Sequence, residues 1–120
     1  MVDIQLNKFT HTLRYLKFRN IYMNEQRAIE IVLAKIEEVL AEDNQSLTFD
    51  ENSSLIGTNS ILSSLGLVSL CTKLEDEALD LEESFEFDWT SEKAMSNMHS
   101  IFRTPKTLAQ EFLRQACENK

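Results

Sequence analysis

The clearest pattern in the chain is a stripe of apolar residues that recurs every three or four positions from Asn24 to about Ala41. Ile, Val and Leu alternate there with Glu and Lys, which is typical of an amphipathic helix with one buried face. The apolar positions are Ile29, Val32, Leu33, Ile36, Val39 and Leu40. The spacing therefore predicts a long first helix that packs this stripe against a core.

A second helical stripe begins inside a group of serines. The stretch NSILSSLGLVSLCTKLEDE, residues 59–77, holds four serines, and apolar residues step at helical spacing from about Ser64 to Leu79. Because serine is favoured at helix N-caps, we expect Ser63 or Ser64 to cap this helix. The positions predicted to face inward are Leu65, Val68, Cys71 (or Leu70), Leu74 and Ala78.

A polar segment separates the two predicted helices. Residues 43–62 are rich in Asn, Ser, Asp and Thr, which favours a long loop, and a loop of this length in a small domain tends to be functional. Isolated apolar residues are expected to pin the loop to the core: Leu47, Phe49, Leu55 and Ile56.

The sequence after the second helix predicts an extended connector. Phe85, Phe87 and Trp89 alternate with polar residues as in a strand, but the chain offers no partner strand, and an isolated strand leaves its backbone groups unpaired. We therefore expect these aromatic side chains to fill the core from an extended segment.

Two further helices are predicted near the carboxyl end. Thr90 or Ser91 can cap a short helix over roughly 91–97. Thr104 followed by Pro105 is a strong start signal for a final helix that runs to about Cys117. Its expected inward residues are Leu108, Phe112 and Leu113.

The charge balance narrows the classes of partner. The 120 residues fit one domain, and a net charge of −8 disfavours nucleic acid and anionic lipid while favouring basic protein surfaces. The charge is uneven, because residues 1–22 carry +3 and residues 23–120 carry −11. The body of the protein, predicted as one domain over 23–120, is therefore strongly acidic.

The basic N-terminal extension, residues 1–22, leaves three interpretations open. Its apolar residues fit one face of a helix, which favours an additional basic amphipathic helix. Such a helix could dock on the acidic body or serve as a partner-binding appendage, whereas a mobile tail or an upstream extension before Met23 is the simpler alternative. The apolar residues are Leu6, Phe9, Leu13 and Leu16, and the basic ones are Lys8, Arg14, Lys17 and Arg19.

Candidate metal, redox and membrane features are weak. Cys71 and Cys117 lie far apart, and neither the cysteines nor the histidines follow zinc or disulfide spacing, so two reduced cysteines and no metal site are expected. No segment is apolar for long enough to span a bilayer, and the N-terminus does not follow the secretory-signal pattern. These features predict a cytoplasmic monomer without stable membrane insertion.

The serine stretch resembles the signature of the acyl carrier protein family. That signature is Asp-Ser-Leu, two variable residues, Val, a variable residue and Leu, followed by Leu-Glu-Glu. Read from Ser63 as SSLGLVSLCTKLEDE, the stretch places Leu65, Val68, Leu70, Leu74 and Glu75 in register. Together with the order of predicted helices, the resemblance extends over roughly residues 23–117.

The resemblance implies an all-α, acyl-carrier-like four-helix bundle with a long loop between its first two helices. The motif serine is Ser64, which in this family carries a covalent phosphopantetheine arm derived from coenzyme A. A frame based on Ser69 places Lys73 at a required apolar position and breaks the helical stripe. The implied function is non-enzymatic carriage of acyl intermediates as thioesters in fatty acid, polyketide or related biosynthesis.

The resemblance also implies partners. These are a phosphopantetheinyl transferase and acyl-loading and acyl-processing enzymes with basic docking surfaces. The acidic residues expected to meet such surfaces are Glu75, Asp76, Glu77 and Asp80.

One departure from the family pattern leaves an alternative open. Ser63 stands where the family has aspartate, a residue that contributes negative charge where the transferase and its magnesium approach. The alternative is a carrier-like helical adaptor that is never primed and acts through protein binding. An independent enzyme ranks below both, because no nucleophile and base can be paired from the sequence.

Overall fold

The computed structural model describes residues 23–118, and this part of the chain is all-α, as predicted. It contains five helices and no strand: α1 (Glu25–Glu42), α2 (Ser64–Asp80), α3 (Glu92–Ser96), α4 (Met98–Ile101) and α5 (Pro105–Glu118). The predicted short helix near residue 91 is confirmed and is followed directly by a second one. The N-terminal extension, with its predicted helix, lies outside the described residues. No helix between residues 23 and 118 combines the length and apolarity needed to cross a membrane.

Helix α1 has well-defined ends. The Asn24 side chain accepts a hydrogen bond from the Arg27 backbone N–H at 2.8 Å and caps the first turn. At the other end Asn44 adopts a positive φ of 58°, and the Gln45 N–H donates to the Leu40 carbonyl at 2.8 Å. This left-handed helix end satisfies carbonyls that the last turn would leave unpaired and turns the chain into the long loop.

The core lies where α1 packs against α2 and α5. As predicted, Phe85 and Phe87 reach this core from the extended connector, and their ring centroids lie 5.1 Å and 5.3 Å from that of Phe112 in α5. Aromatic pairs at these separations stabilise a core beyond the apolar area they bury. The helical side chains buried beside them include Val32, Ile36 and Val39 of α1, Leu70, Leu74 and Ala78 of α2, and Leu108 of α5.

The long segment between α1 and α2 is tied to the carboxyl-terminal part of the fold. The Leu55 N–H donates to the Arg103 carbonyl at 3.0 Å, and the Lys106 N–H donates to the Glu51 carbonyl at 2.9 Å. Leu55 is buried as predicted, whereas the predicted anchor Leu47 is 47% exposed. The Leu47 prediction is wrong because the segment is fixed at its middle, at Glu51 and Leu55, and not just after α1.

The extended connector between α2 and α3 pairs its backbone without a partner strand. The Gln115 side chain of α5 accepts from the Asp88 N–H at 2.7 Å and donates to the Asp88 carbonyl at 2.9 Å. Near the start of the connector, the Phe85 N–H donates to the Ala78 carbonyl at 3.2 Å. The Gln115 side chain thus pairs both backbone groups of Asp88, as a neighbouring strand would in a sheet.

Candidate functional site

Ser63 caps helix α2. Its backbone is extended, and its hydroxyl accepts a hydrogen bond from the Gly66 N–H at 3.0 Å. Gly66 is buried beneath this cap, and a Cβ added there would lie 3.3 Å from the Ser63 Oγ and 3.5 Å from Cγ1 of Val39 in α1. The distance to Val39 is an ordinary van der Waals contact, so the absence of a side chain at Gly66 chiefly keeps the capping hydroxyl of Ser63 from being crowded.

The four serines of this region have different roles. Ser60 is half-buried and donates to the Leu62 carbonyl at 2.8 Å, Ser63 is the cap, and Ser69 is half-buried further along α2. Ser64, the first residue of α2, is exposed, and its hydroxyl has no hydrogen-bond partner among residues 23–118. Because Ser63 takes the capping role, Ser64 is left accessible at the positive end of a helix of 17 residues.

Two apolar residues predicted to be inward lie on the surface beside Ser64. Leu65 is 82% exposed and Val68 is 48% exposed, so their predicted burial is wrong. Each residue turns an α-helix by about 100°, and a helix that presents Gly66 to α1 turns Leu65 and Val68 away from the core. Ser64 therefore adjoins exposed apolar surface.

A groove of about 530 Å³ lies beside the Ser63 cap, and Leu65 forms part of its lining. Its walls come from the end of α1, with Glu42 and Asp43, and from the start of α2, with Ser63 and Ser69. Ser64 is not part of this lining, and neither is any histidine. The groove thus offers no imidazole base to activate the Ser64 hydroxyl.

Ion pairs hold α1 and α2 together below the serines. Lys73 of α2 lies 2.8 Å from Glu42 and 3.6 Å from Glu38, and Lys35 of α1 lies 3.3 Å from Glu77. The hydrogen bond to Glu42 raises the pKa of Lys73. Glu77, one of the predicted partner-binding residues, is therefore already engaged with α1.

The other predicted partner-binding residues lie elsewhere on α2. Glu75 and Asp76 line a second groove, of about 560 Å³, between α2 and the extended connector. Asp80 is exposed at the last residue of α2. The structure thus separates Glu77 from Glu75 and Asp76 instead of joining all four carboxylates in one cluster.

The connector contributes acidic residues that the sequence reasoning did not assign to a site. The second groove is also lined by Glu86 and Asp88, with apolar contributions from Leu79 and Phe87. The Ser91 hydroxyl donates to the Asp88 carboxylate at 2.6 Å, and this bond lowers the pKa of Asp88. A sequence signal existed, because residues 74–92 contain nine carboxylates and neither Lys nor Arg. We call the groove lined by Glu75, Asp76, Leu79, Glu86, Phe87, Asp88 and Thr90 the acidic groove.

Cys71 does not provide an alternative nucleophile on α2. It is 1% exposed, and burial, assisted by the negative charge of Glu75, raises its thiol pKa to about 12. A thiol in this state stays protonated at neutral pH and packs as a small apolar group. Among residues 23–118 no group of three His, Cys, Asp or Glu side chains is placed to bind a metal ion.

The candidate site is therefore an exposed serine at the start of a helix, flanked by exposed apolar side chains and distant from the acidic groove. The axial rise of an α-helix puts Glu75 about 17 Å beyond Ser64 along α2. Compared with protein-family models, with curated proteins and with solved structures, the chain gives no match.

Proposed function

We propose that the protein is an acyl carrier whose Ser64 bears a phosphopantetheine arm. The observation that carries the proposal is the division of roles between adjacent serines. Ser63 accepts the hydrogen bond that caps α2, and Ser64 presents an exposed, unpartnered hydroxyl within the described chain. If Ser64 were the cap, modification of its oxygen would remove the acceptor that stabilises the helix start.

The surroundings of Ser64 fit a phosphodiester. The free N–H groups and the dipole at the start of a helix favour a negative charge by about 0.3–1 kcal/mol. In priming, the Ser64 oxygen forms an ester with the pantetheine-linked phosphate, the pyrophosphate bond of coenzyme A breaks, and adenosine 3′,5′-bisphosphate leaves. The arm supplies a terminal thiol that holds an acyl group as a thioester.

The surface of α2 supports a carrier that other proteins recognise and bind. Leu65 and Val68 place apolar area next to the attachment point, where a modifying enzyme has to approach. Glu75, Asp76 and the exposed Asp80 supply negative charge that attracts basic docking surfaces and raises the rate of encounter. In this proposal the chain performs no chemistry itself and serves acyl-loading and acyl-processing enzymes of fatty acid, polyketide or related biosynthesis.

Priming is tested directly by intact mass. The purified full chain and its Ser64→Ala and Ser69→Ala variants are incubated with coenzyme A, magnesium and a promiscuous phosphopantetheinyl transferase. We expect a gain of one phosphopantetheine in the parent and in Ser69→Ala, and no gain in Ser64→Ala. Circular dichroism of each variant verifies that the helices are intact, so that loss of priming is not loss of fold.

The Ser63→Asp variant separates two reasons for a negative result. If only this variant gains mass, the aspartate missing before Ser64 is what this transferase requires, and a dedicated transferase is then the one to seek. If neither form gains mass with any competent transferase, and protein isolated from cells is unmodified yet bound to a defined partner, the unprimed adaptor replaces the carrier. A gain that disappears only in Ser69→Ala would place the attachment at Ser69 and contradict the assignment.

A further inference from the structure

The acidic groove is built from two consecutive elements of the chain. Helix α2 contributes Glu75 and Asp76, and the connector contributes Glu86 and Asp88. All four carboxylates belong to the stretch 74–92, in which nine acidic residues are not balanced by any Lys or Arg. This is the strongest local concentration of one charge sign in the sequence, and it is set in a concave surface.

Apolar area lies within the same groove. Leu79 is 57% exposed and Phe87 forms part of the lining while its ring packs in the core. A groove that combines exposed leucine with a surplus of carboxylates fits an occupant with apolar residues on one side and basic residues around them.

The chain itself contains a segment of that composition. Residues 1–22 carry apolar residues at Leu6, Phe9, Leu13 and Leu16, together with four basic residues and a single acidic one. Residues 1–22 have a net charge of +3, whereas residues 23–120 together have a net charge of −11. Its composition complements the groove in both charge and apolar content.

The position of the chain entry brings the segment close to the groove. The Lys35–Glu77 ion pair and the contact region of Val39 with Gly66 show that α1 and α2 run in opposite directions. At a rise of about 1.5 Å per residue, α1 extends about 15 Å from Lys35 back to its first residue, whereas α2 extends only about 5 Å from Glu77 to its last residue. The start of α1 therefore projects about 10 Å past the end of α2. The segment therefore enters at the end of α2 that holds the acidic groove, and only residues 20–24 separate Arg19 from α1.

We infer that the basic N-terminal segment, residues 1–22, docks within its own chain on the acidic groove. The exposed Leu79 receives apolar side chains of the segment, and the surrounding carboxylates neutralise its Lys and Arg residues. Where the chain acts as the proposed carrier, the docked segment covers Glu75 and Asp76 and has to be displaced before a basic partner surface can use them. The docking itself does not depend on priming.

The test uses the full chain with a spin label on the segment. A nitroxide is attached to Thr12→Cys in a Cys117→Ser background, since Cys117 is the exposed native thiol and Cys71 is buried. We expect the amide NMR signals of 75–79 and 86–90 to lose most of their intensity at about 0.01 M ionic strength. They should recover at about 1 M, because the screening length falls from about 30 Å to about 3 Å.

A matched pair of variants makes the result specific. Asp76→Asn with Glu86→Gln removes two charges from the groove and should restore the signals at low salt. Glu30→Gln with Glu37→Gln removes two exposed charges from α1 and should leave the signal loss unchanged. Signal loss spread evenly over residues 23–118, or loss that survives the groove variant, would overturn the docking.

Mixing isotope-labelled chains with unlabelled, spin-labelled chains tests for docking between copies. If the signal loss in this mixture equals the loss seen when the spin label and the isotope label are on the same chain, the segment binds a second copy and the inference is wrong. The Ser64→Ala variant distinguishes this inference from the carrier proposal. Docking that persists in Ser64→Ala, together with failure of both the parent and Ser63→Asp to gain mass with any competent transferase, would remove the carrier function and leave the docking intact.

Discussion

At the scale of single residues, the neighbours Ser63 and Ser64 show how one residue type takes two roles. The Ser63 hydroxyl accepts a hydrogen bond from the Gly66 N–H, whereas Ser64 is exposed to solvent. The motif alone identified Ser64 by register, and the capping geometry gives an independent physical reason for the same assignment. A carrier function needs the second serine free, so the cap has to be provided by the residue before it.

The two serines should differ in their effect on stability. Ser63→Ala removes the acceptor of the Gly66 N–H, and we expect the free energy of unfolding to fall by about 1 kcal/mol. Ser64→Ala removes an exposed hydroxyl at the first helical position and should change it by less than about 0.5 kcal/mol. Urea unfolding followed by circular dichroism measures both. Equal losses in the two variants would mean that the cap is shared, which would weaken the argument for Ser64 as the attachment point.

At the scale of elements, α2 presents one face to the core and another to solvent. The residues at four-residue steps, Gly66, Leu70, Leu74 and Ala78, are buried, and Leu65 and Val68 are exposed. Both sets are apolar, so the helix carries more apolar surface than the core uses. In the proposed carrier, this exposed apolar surface next to Ser64 is available to a modifying enzyme.

A pair of leucine truncations separates the two faces of α2. Leu70 is fully buried, and Leu70→Ala should lower the free energy of unfolding by about 2–5 kcal/mol through lost contacts and a cavity. Leu65→Ala removes the same atoms from an 82% exposed site and should change it by less than about 0.5 kcal/mol. The same unfolding assay is read alongside the rate of priming, which we expect only Leu65→Ala to slow without a loss of stability. A large destabilisation by Leu65→Ala would show that this face is packed.

The helices could largely be predicted from the sequence, because capping and periodicity are local signals. Asn24, Ser63, Ser91 and Thr104 each accept the capping hydrogen bond expected at the start of a helix. The rotation of α2 could not be predicted, since an apolar residue at helical spacing fits the core or the surface equally well until the burial of Gly66 beside α1 is known. The pairing of the connector with Gln115 joins residues 27 positions apart and has no local signature.

At the scale of the whole molecule, the charge distribution divides the protein into a basic start and an acidic body. Within the body, Lys35 and Lys73 join α1 to α2, and Arg114 pairs with Glu111 and Glu118 inside α5. The carboxylates of the connector have no comparable cation in their own stretch of sequence. In the acidic groove the charge of Arg114 acts on Asp88, whereas Glu75, Asp76 and Glu86 form no ion pair with any residue between 23 and 118. These three carboxylates are the reason why a basic occupant is expected there.

Two carboxylates near the junction of the connector and α5, those of Asp88 and Glu111, should make global stability depend on acid pH. Hydrogen bonds from Ser91 lower the pKa of Asp88; burial alone would raise the pKa of Glu111, but bonds from Arg114 and Gln115 outweigh it and lower that pKa too. A carboxyl group with a lower pKa in the folded state stabilises the fold above its unfolded value, ordinarily 3.8 for Asp and 4.5 for Glu, and this stabilisation is lost as pH falls through the folded value.

The double variant Asp88→Asn with Glu111→Gln tests this dependence. It should be less stable than the parent at pH 7. The difference should begin to shrink as pH falls below 4.5 for Glu111 and 3.8 for Asp88, and it should disappear once pH is below the lowered pKa of each group in the folded parent. Thermal unfolding of the variant and the parent, measured at a series of pH values from about 2 to 7, gives the difference in stability as a function of pH. Asp43→Asn with Glu37→Gln makes the same chemical changes at exposed positions on and after α1, and its difference from the parent should stay small at every pH. A constant difference for the connector variant would mean that shape, and not ionisation, accounts for the roles of these two side chains, Asp88 in binding Ser91 and Glu111 in binding Gln115.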